Sequence, residues 1–334
     1  MARLDYANAR IGGRRSRLAG ARALRELLAQ PSTAARLELV RALTAGAEIP
    51  AEPGADPLAA AERGLRTALR REALALLDDA ESPRTRALLQ AYLALDEAAE
   101  VKAVLRGVSM GAPFDRTLSA VLGGPAAEKA LRVAAVAYSL EGAIAALGEA
   151  GSPLASALTE ALPRVAEEGL LPLEIAADRA ALHGAMRACR GRREDAAVLA
   201  RHLADLADAR NAATLVALDG AAPAVPPWVP GGRRWDADEL DRLARAGREA
   251  VRAAIAEAFA ISAAALATPW AADRALERAC ASALAREAWS RPLSIAVPLA
   301  YLAARRDEVR RIALALRGAA LALPADELLD LVEA

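Results

Sequence analysis

The side chains that could do chemistry are few and badly spaced for it. Two histidines, His183 and His202, lie 19 residues apart, with no His-Glu-x-x-His run and no nearby cysteine. A zinc centre needs several such ligands converging from one helix face or turn, so both read as ordinary helix-face residues. Cys189 and Cys280 stand alone, which suits a reducing compartment and not a disulfide framework. The glycine pairs Gly12-Gly13, Gly123-Gly124 and Gly231-Gly232 lead neither to Gly-Lys-Ser/Thr nor into Gly-x-Gly-x-x-Gly after a strand, so no phosphate-binding loop is legible. No nucleophile is set beside a base. The expectation is a protein without catalysis, cofactor or metal.

Charge excludes another class. The 334 residues carry 43 Lys+Arg against 43 Asp+Glu, so a whole-chain grip on nucleic acid or anionic lipid is not expected. Local basic clusters do occur, "RIGGRRSR" at 10–17 and "GGRRW" at 231–235, but without the aromatic platforms that a single-strand binder would use. They read as solvated helix ends or loops. Alternatively, arginines such as Arg10, Arg14, Arg15, Arg310 and Arg311 could meet carboxylates of a protein partner, to which a guanidinium presents a planar fork.

The elements that must position these groups are helices. Of the residues, 55% are hydrophobic, with alanine dominating, and only 3% are aromatic. Alanine, arginine, leucine and glutamate favour helix, while the β-branched and aromatic residues of strands are sparse. The fold class is all-α. "SPRT" at 82–85, "SPLA" at 152–155 and "TPWA" at 268–271 each put a capping hydroxyl before a proline with no N–H to lose, marking helix starts. Similar starts are expected at Pro292 and Pro324. Leu240, Leu243, Gly247, Val251, Ile255 and Phe259 recur at helical steps, predicting one long amphipathic helix from Asp236. Loops are expected at 46–57 and, with four prolines, at 219–236, the latter a candidate domain boundary; a weaker boundary lies at 107–115. The amino terminus has charges throughout and no signal-peptide core.

The chain repeats itself. "AYLALDEAAEVKAVLRG" (91–107) returns as "AYLAARRDEVRRIALALRG" (300–318), with a looser copy, "RHLADLADARNAATLVALDG" (201–220), between them. The anchors Tyr92, His202 and Tyr301 are separated by 110 and 99 residues. Glu97 and Glu100, Asp208 and Asn211, and Glu308 fill the acidic-polar middle, and Arg106 and Arg317 precede a closing glycine. Spacing this long implies related small domains and not a short-period solenoid. Three are expected, at 1–112, 113–222 and 223–334. Glu97, Glu100, Asp208 and Asn211 are read as structural features of the repeat. Glu308, Arg311 and Arg317 could line a cavity and touch a partner, or make pairs one turn apart on an exposed helix.

The carboxy-terminal stretch 291–332 resembles the C subunit of the V-type and archaeal-type ATPases, whose eukaryotic counterpart is the d subunit. The resemblance rests on Pro292, Tyr301-Leu302, Glu308, Arg310-Arg311 and Leu323-Pro324 with the final "ADELLDLV". The opening Tyr6, Asn8, Ala9 and Arg10 is similar to that family's Tyr-x-Asn-Ala-Arg start, and Asp208 with Asn211 to its Asp-x-x-Asn-Leu motif. Departures at Glu97/Glu100 and at Arg311/Ala313 mark a divergent member.

The resemblance implies three similar helical domains about a pseudo-threefold axis, forming a funnel. The funnel would sit on the cytoplasmic mouth of the membrane proteolipid ring and receive shaft subunits D and F. The protein would then be a non-catalytic rotor subunit, one copy per complex and monomeric alone, peripheral at the cytoplasmic face, transmitting torque for ATP-linked H⁺ or Na⁺ transport. The alternative is an all-helical scaffold for other protein partners.

Overall fold

A computed structural model describes residues 5–44, 56–80, 82–114, 117, 125–191, 194–219 and 226–333. These residues are all-α, and among them there is no strand. The helices are, in order, α1 (Asp5–Arg15), α2 (Ala21–Leu28), α3 (Thr33–Leu43), α4 (Pro57–Asp78) and α5 (Pro83–Ser109). Next come α6 (Pro125–Ala135), α7 (Leu140–Glu149), α8 (Ala155–Ala161), the single turn α9 (Val165–Glu168) and α10 (Leu171–Ala188). The last are α11 (Glu194–Leu218), α12 (Ala237–Arg245), α13 (Arg248–Phe259), α14 (Pro269–Ser290), α15 (Ala296–Ala320) and α16 (Ala325–Glu333). The expected loop at 46–57 falls almost wholly outside the described residues, as do 220–225 of the proline-rich loop, Gly123-Gly124, and the side chains of Tyr6 and Lys129.

Caps set most starts. Ser82 Oγ accepts the Thr85 N–H at 3.0 Å before α5, and Thr268 Oγ1 accepts that of Ala271 at 3.2 Å before α14. Asp236 and Glu239 exchange bonds in a capping box that opens α12, satisfying two otherwise orphaned donors. Two expected starts are displaced. At Ser152-Pro153 the chain only turns, the Leu154 N–H reaching Ser152 Oγ at 3.4 Å, and α8 begins at Ala155. After Pro292 the cap is Ser294, whose Oγ accepts the Ala296 N–H at 3.2 Å.

The single long helix expected from Asp236 is two. Gly247 has φ +84°, a conformation that ends α12 and starts α13 in a new direction and that only glycine adopts without strain. The apolar stripe survives the break, with Leu240, Val251, Ile255 and Phe259 all buried.

The chain divides into two compact units, Met1–Arg86 with Val297–Ala334, and Ala87–Ala296. In the first, Leu24, Leu27 and Leu65 pack with Ile312, Leu316 and Val332, so helices from both ends of the sequence share one core. In the second, one apolar cluster joins Val101 and Leu105 to Leu131, Ile144, Leu158 and Leu173. Another joins Leu215 to Trp228, Leu240, Ile255 and Leu276. Burial of this kind supplies roughly 25 cal/mol per Å² of apolar surface, and it is what holds short alanine-rich helices that would be marginal alone.

Candidate functional site

Helix α11 carries a polar line where its packed face should be apolar. His202, Asp205, Asp208 and Asn211, each three residues on from the last, are all buried. Buried carboxylates and amides are costly unless bonded, and the side chains of Asp205, Asp208 and Asn211 bond to one segment, the loop 226–236. Asn211 Nδ2 donates to the Val229 carbonyl at 2.9 Å, and the Val229 N–H donates back to Asn211 Oδ1 at 2.7 Å. Asp208 Oδ2 accepts the backbone N–H groups of Arg233 at 3.0 Å and Arg234 at 3.2 Å. The two guanidinium groups then turn onto Asp205, from Arg233 Nη2 at 2.9 Å and Arg234 Nη1 at 2.6 Å. The Arg234 plane also lies over Phe259, 4.3 Å from the ring centroid.

The "GGRRW" cluster is therefore strapped to α11: Arg234 is mostly withdrawn from water, while Arg233 pairs with Asp205 and keeps about half of its side chain exposed. Burial raises the Asp208 carboxyl, and the bonds from Arg233 and Arg234 offset this only in part. Burial works against the Arg234 charge, yet Asp205 and Asp208 outweigh it and hold that guanidinium above its ordinary value. Gly232 makes the close approach possible, since a Cβ there would fall 2.1 Å from Asp208 Oδ1.

The first repeat faces inward in the same unit. Tyr92 is buried against His202. Glu100 is buried and Glu97 half-buried. Beside Val101, Lys102 Nζ bridges both Asp178 oxygens at 2.7 and 2.8 Å. Arg106 makes a two-pronged pair with Glu174, at 2.5 and 2.7 Å.

The third repeat builds its network within the first unit. Tyr301 donates its hydroxyl proton to Glu72, and Arg305 Nε reaches the other Glu72 oxygen at 3.3 Å. Arg305 also pairs with Glu308, which accepts the Ala19 N–H on its second oxygen. Burial and the Glu72 carboxylate both push the Tyr301 phenol well above its usual value. Arg317 grips Glu62, Nη2 to Oε2 at 2.7 Å, although Glu62 is buried and Arg317 largely exposed. Arg311 Nε donates to the Val332 carbonyl at 2.9 Å, tying α15 to α16.

The closing glycine of the repeat has a packing reason. A Cβ at Gly107 would meet Thr117 Oγ1 at 2.4 Å, and one at Gly318 would meet Leu328 Cδ1 at 2.3 Å. The segment after the repeat helix folds back onto this bare backbone. The corresponding Gly220 lies outside the described residues.

Of the arginines expected to meet a partner, Arg10 pairs with Asp79 at 2.6 Å and Arg14 approaches the same carboxylate at 3.9 Å. Arg15 and Arg310 are exposed. The structure thus gathers most of the repeat residues into polar networks within each unit, buried at Asp208, Asn211 and Glu308 and largely exposed at Arg106 and Arg317, with Asp205, Arg305, Glu72, Glu62, Lys102 and Asp178 as members that the sequence reading did not single out. A usable signal existed: polar residues spaced three or four apart inside otherwise apolar helices, 202–205–208–211 and 301–305–308. Among the described residues no group of three His, Cys, Asp or Glu could hold a metal, and no helix is long and apolar enough to cross a membrane. Both cysteines are buried, and burial pushes the Cys280 thiol up to about 12, out of reach of nucleophilic chemistry. What these networks can do is mechanical: they pin helices and one loop in fixed register.

A family described as ATP synthase (C/AC39) subunit matches residues 7–331 of the chain. No curated protein matches it.

Proposed function

The chain belongs to the ATP synthase (C/AC39) subunit family, which supplies the C or d subunit of V- and A-type ATPases, and on that footing we propose that it is the non-catalytic rotor coupling of such an enzyme. It receives the foot of the central shaft, subunits D and F, and sits on the membrane proteolipid ring at the cytoplasmic face. It turns with both and passes torque between ATP chemistry and H⁺ or Na⁺ movement. The match over nearly the whole chain is the observation that carries this reading.

The internal architecture supports it. A torque coupling needs stiffness, and close-packed helices crosslinked by buried ion pairs resist shear because their interiors have little free volume. We propose further that the three copies of the repeat mark three related modules, 1–112, 113–222 and 223–334, in a pseudo-threefold funnel. The repeat residues would then tie each module to the next, Tyr92 and Arg106 meeting His202 and Glu174, Asn211 and Asp208 meeting Val229 and Arg233, and Tyr301 and Arg317 meeting Glu72 and Glu62. Exposed Arg15 and Arg310, with Arg10, Arg14 and Arg311 beside them, are the groups proposed to meet acidic side chains of the shaft.

The test is affinity purification of the tagged full chain from mildly solubilised native membranes, with mass spectrometry of what accompanies it. Recovery of the proteolipid together with subunits D and F is the expected result. A folded, abundant protein that brings neither would overturn the coupling role.

A further inference from the structure

The segment 226–236 touches α10 as well as α11. Its first half, Pro226-Pro227-Trp228-Val229-Pro230, is rich in proline, which has a fixed φ and no N–H to donate. The chain there is stiff and offers mainly carbonyl oxygens. Arg179 of α10 takes two of them, donating from Nη2 to Pro226 at 2.9 Å and from Nε to Trp228 at 2.8 Å. Asn211 of α11 takes the next, at Val229. Two turns along α10, Met186 lies against the bare backbone of Gly231, where a Cβ would fall 2.5 Å from Sδ. Two helices that precede the segment in the chain therefore seat it.

The same segment is tied to helices that follow it. Trp228 is buried, with Nε1 donating to Asp241 of α12 at 2.6 Å. Arg234 Nε donates to the Ala258 carbonyl at the end of α13 at 3.1 Å, and Trp235 meets Phe259 with ring centroids 6.1 Å apart. So α10 and α11 hold it from one side and α12 and α13 from the other, all within the second unit. These helices flank the proposed boundary between the second and third modules.

Arg179 differs from the other ties. Arg233 and Arg234 meet carboxylates, whereas the Arg179 bonds go to carbonyl dipoles. Burial, and then the charge of Arg164, hold that guanidinium below its ordinary value. A partly desolvated cation without a carboxylate is kept at a cost; what it gains is position, because a planar fork spanning two carbonyls fixes the path of the prolines along α10. Removing it should free the α10 side alone and leave the α11 bonds in place, so the segment loosens without unfolding its neighbours. We propose that the segment 226–236 is the stiff joint through which torque passes between the second and third modules, and that Arg179 is the positioning residue that seats it. This rests on the rotor reading above. A joint that opens reversibly is driven open by opposing torque. That torque grows with the ion gradient already built, so a loosened joint lowers the limiting gradient before it lowers the initial rate.

The test compares Arg179→Gln, Arg179→Lys and wild type in two measurements. Hydrogen exchange of the purified full chain is followed at the bonded amides of Val229, Arg233 and Arg234. It should be about tenfold faster or more in Arg179→Gln, since two charge-assisted bonds are lost, while amides of the first unit exchange as in wild type. ATP-driven ion uptake into inverted membrane vesicles should start at the wild-type rate but level off at a smaller gradient while ATP hydrolysis continues. Arg179→Lys keeps the charge but not the fork and should fall between the two. Arg187→Gln, exposed on the same helix, should match wild type. Unchanged exchange in Arg179→Gln would overturn the seating role, whatever complex the chain belongs to. Faster exchange with a wild-type limiting gradient would overturn the joint. So would initial uptake and limiting gradient falling in proportion, the mark of fewer assembled enzymes. If Arg179→Gln does not fold, Arg179→Lys decides by the same two readouts. Failure of the rotor reading shows separately, as absence of proteolipid and shaft subunits from the purified wild-type chain, and would overturn the torque claim while the exchange result stands.

Discussion

Tyr92 of α5 and His202 of α11 meet in the second unit with ring centroids 5.6 Å apart and planes inclined by 50°. They occupy the same position in two copies of the repeat, so the first two copies pack against each other through their anchor residues. A tilted aromatic pair of this kind contributes about 0.5–1.5 kcal/mol beyond the area it buries. A double-mutant cycle with Tyr92→Leu and His202→Leu, read from urea denaturation, should give a coupling energy in that range. Additive single effects would mean that the two rings merely share a core.

The bonds between Asn211 and Val229 hold the loop 226–236 to α11 through the N–H and the carbonyl of one residue. Asn211→Ala leaves the buried Val229 N–H without its acceptor. The expected cost is about 2–4 kcal/mol, since each unmet buried group forfeits roughly 1–3 kcal/mol. Native-state hydrogen exchange should show faster exchange across 226–236 in the variant, while the helices of the first unit stay protected.

Burial raises the Asp208 carboxyl above its ordinary value of 3.8. The folded chain then holds this proton more tightly than the unfolded chain does. The resulting stabilisation is complete below the ordinary value and is lost as pH rises through the folded one. Asp208→Asn cannot ionise and still offers an oxygen to the Arg233 and Arg234 N–H groups. As pH rises above about 3.8 the variant should therefore gain stability relative to wild type. Urea midpoints at several pH values would measure this, and a difference that stays flat or shrinks would contradict it.

Gly232 and Gly318 both sit where a Cβ would clash, against Asp208 Oδ1 at 2.1 Å and Leu328 Cδ1 at 2.3 Å respectively. The obstacles differ in kind. Asp208 is fixed by its bonds to Arg233 and Arg234, whereas Leu328 presents the far end of a flexible side chain. Gly232→Ala should cost about 2–4 kcal/mol and Gly318→Ala about 1–2 kcal/mol, in the range of overpacked sites. Thermal denaturation of the two variants side by side tests the order.

Much of the local structure was legible. Ser82, Thr268 and Asp236 cap helices because capping is settled within three residues of sequence, and the alanine-rich composition admits little else. The Asp236–Phe259 segment shows the limit. Its apolar stripe was visible, yet the break at Gly247 was not, because glycine tolerates a helix interior and a positive φ alike. The basic "GGRRW" run was only partly legible for a related reason: charge alone does not say that Arg234 meets two buried aspartates while Arg233 stays half exposed.

By itself the sequence determined an all-helical chain, most of its helix starts and a threefold recurrence of one helical segment, since propensity, capping and periodicity act over a few residues. Only the tertiary structure decided which of many carboxylates each arginine meets. Arg317 finds Glu62 and Arg305 finds Glu72, more than two hundred residues away, while Arg234 finds Asp205 and Asp208 on α11. It also decided that helices from the two ends of the chain close one core. In a sequence with 43 basic and 43 acidic residues, local preference leaves those pairings nearly degenerate, and packing between distant helices selects among them.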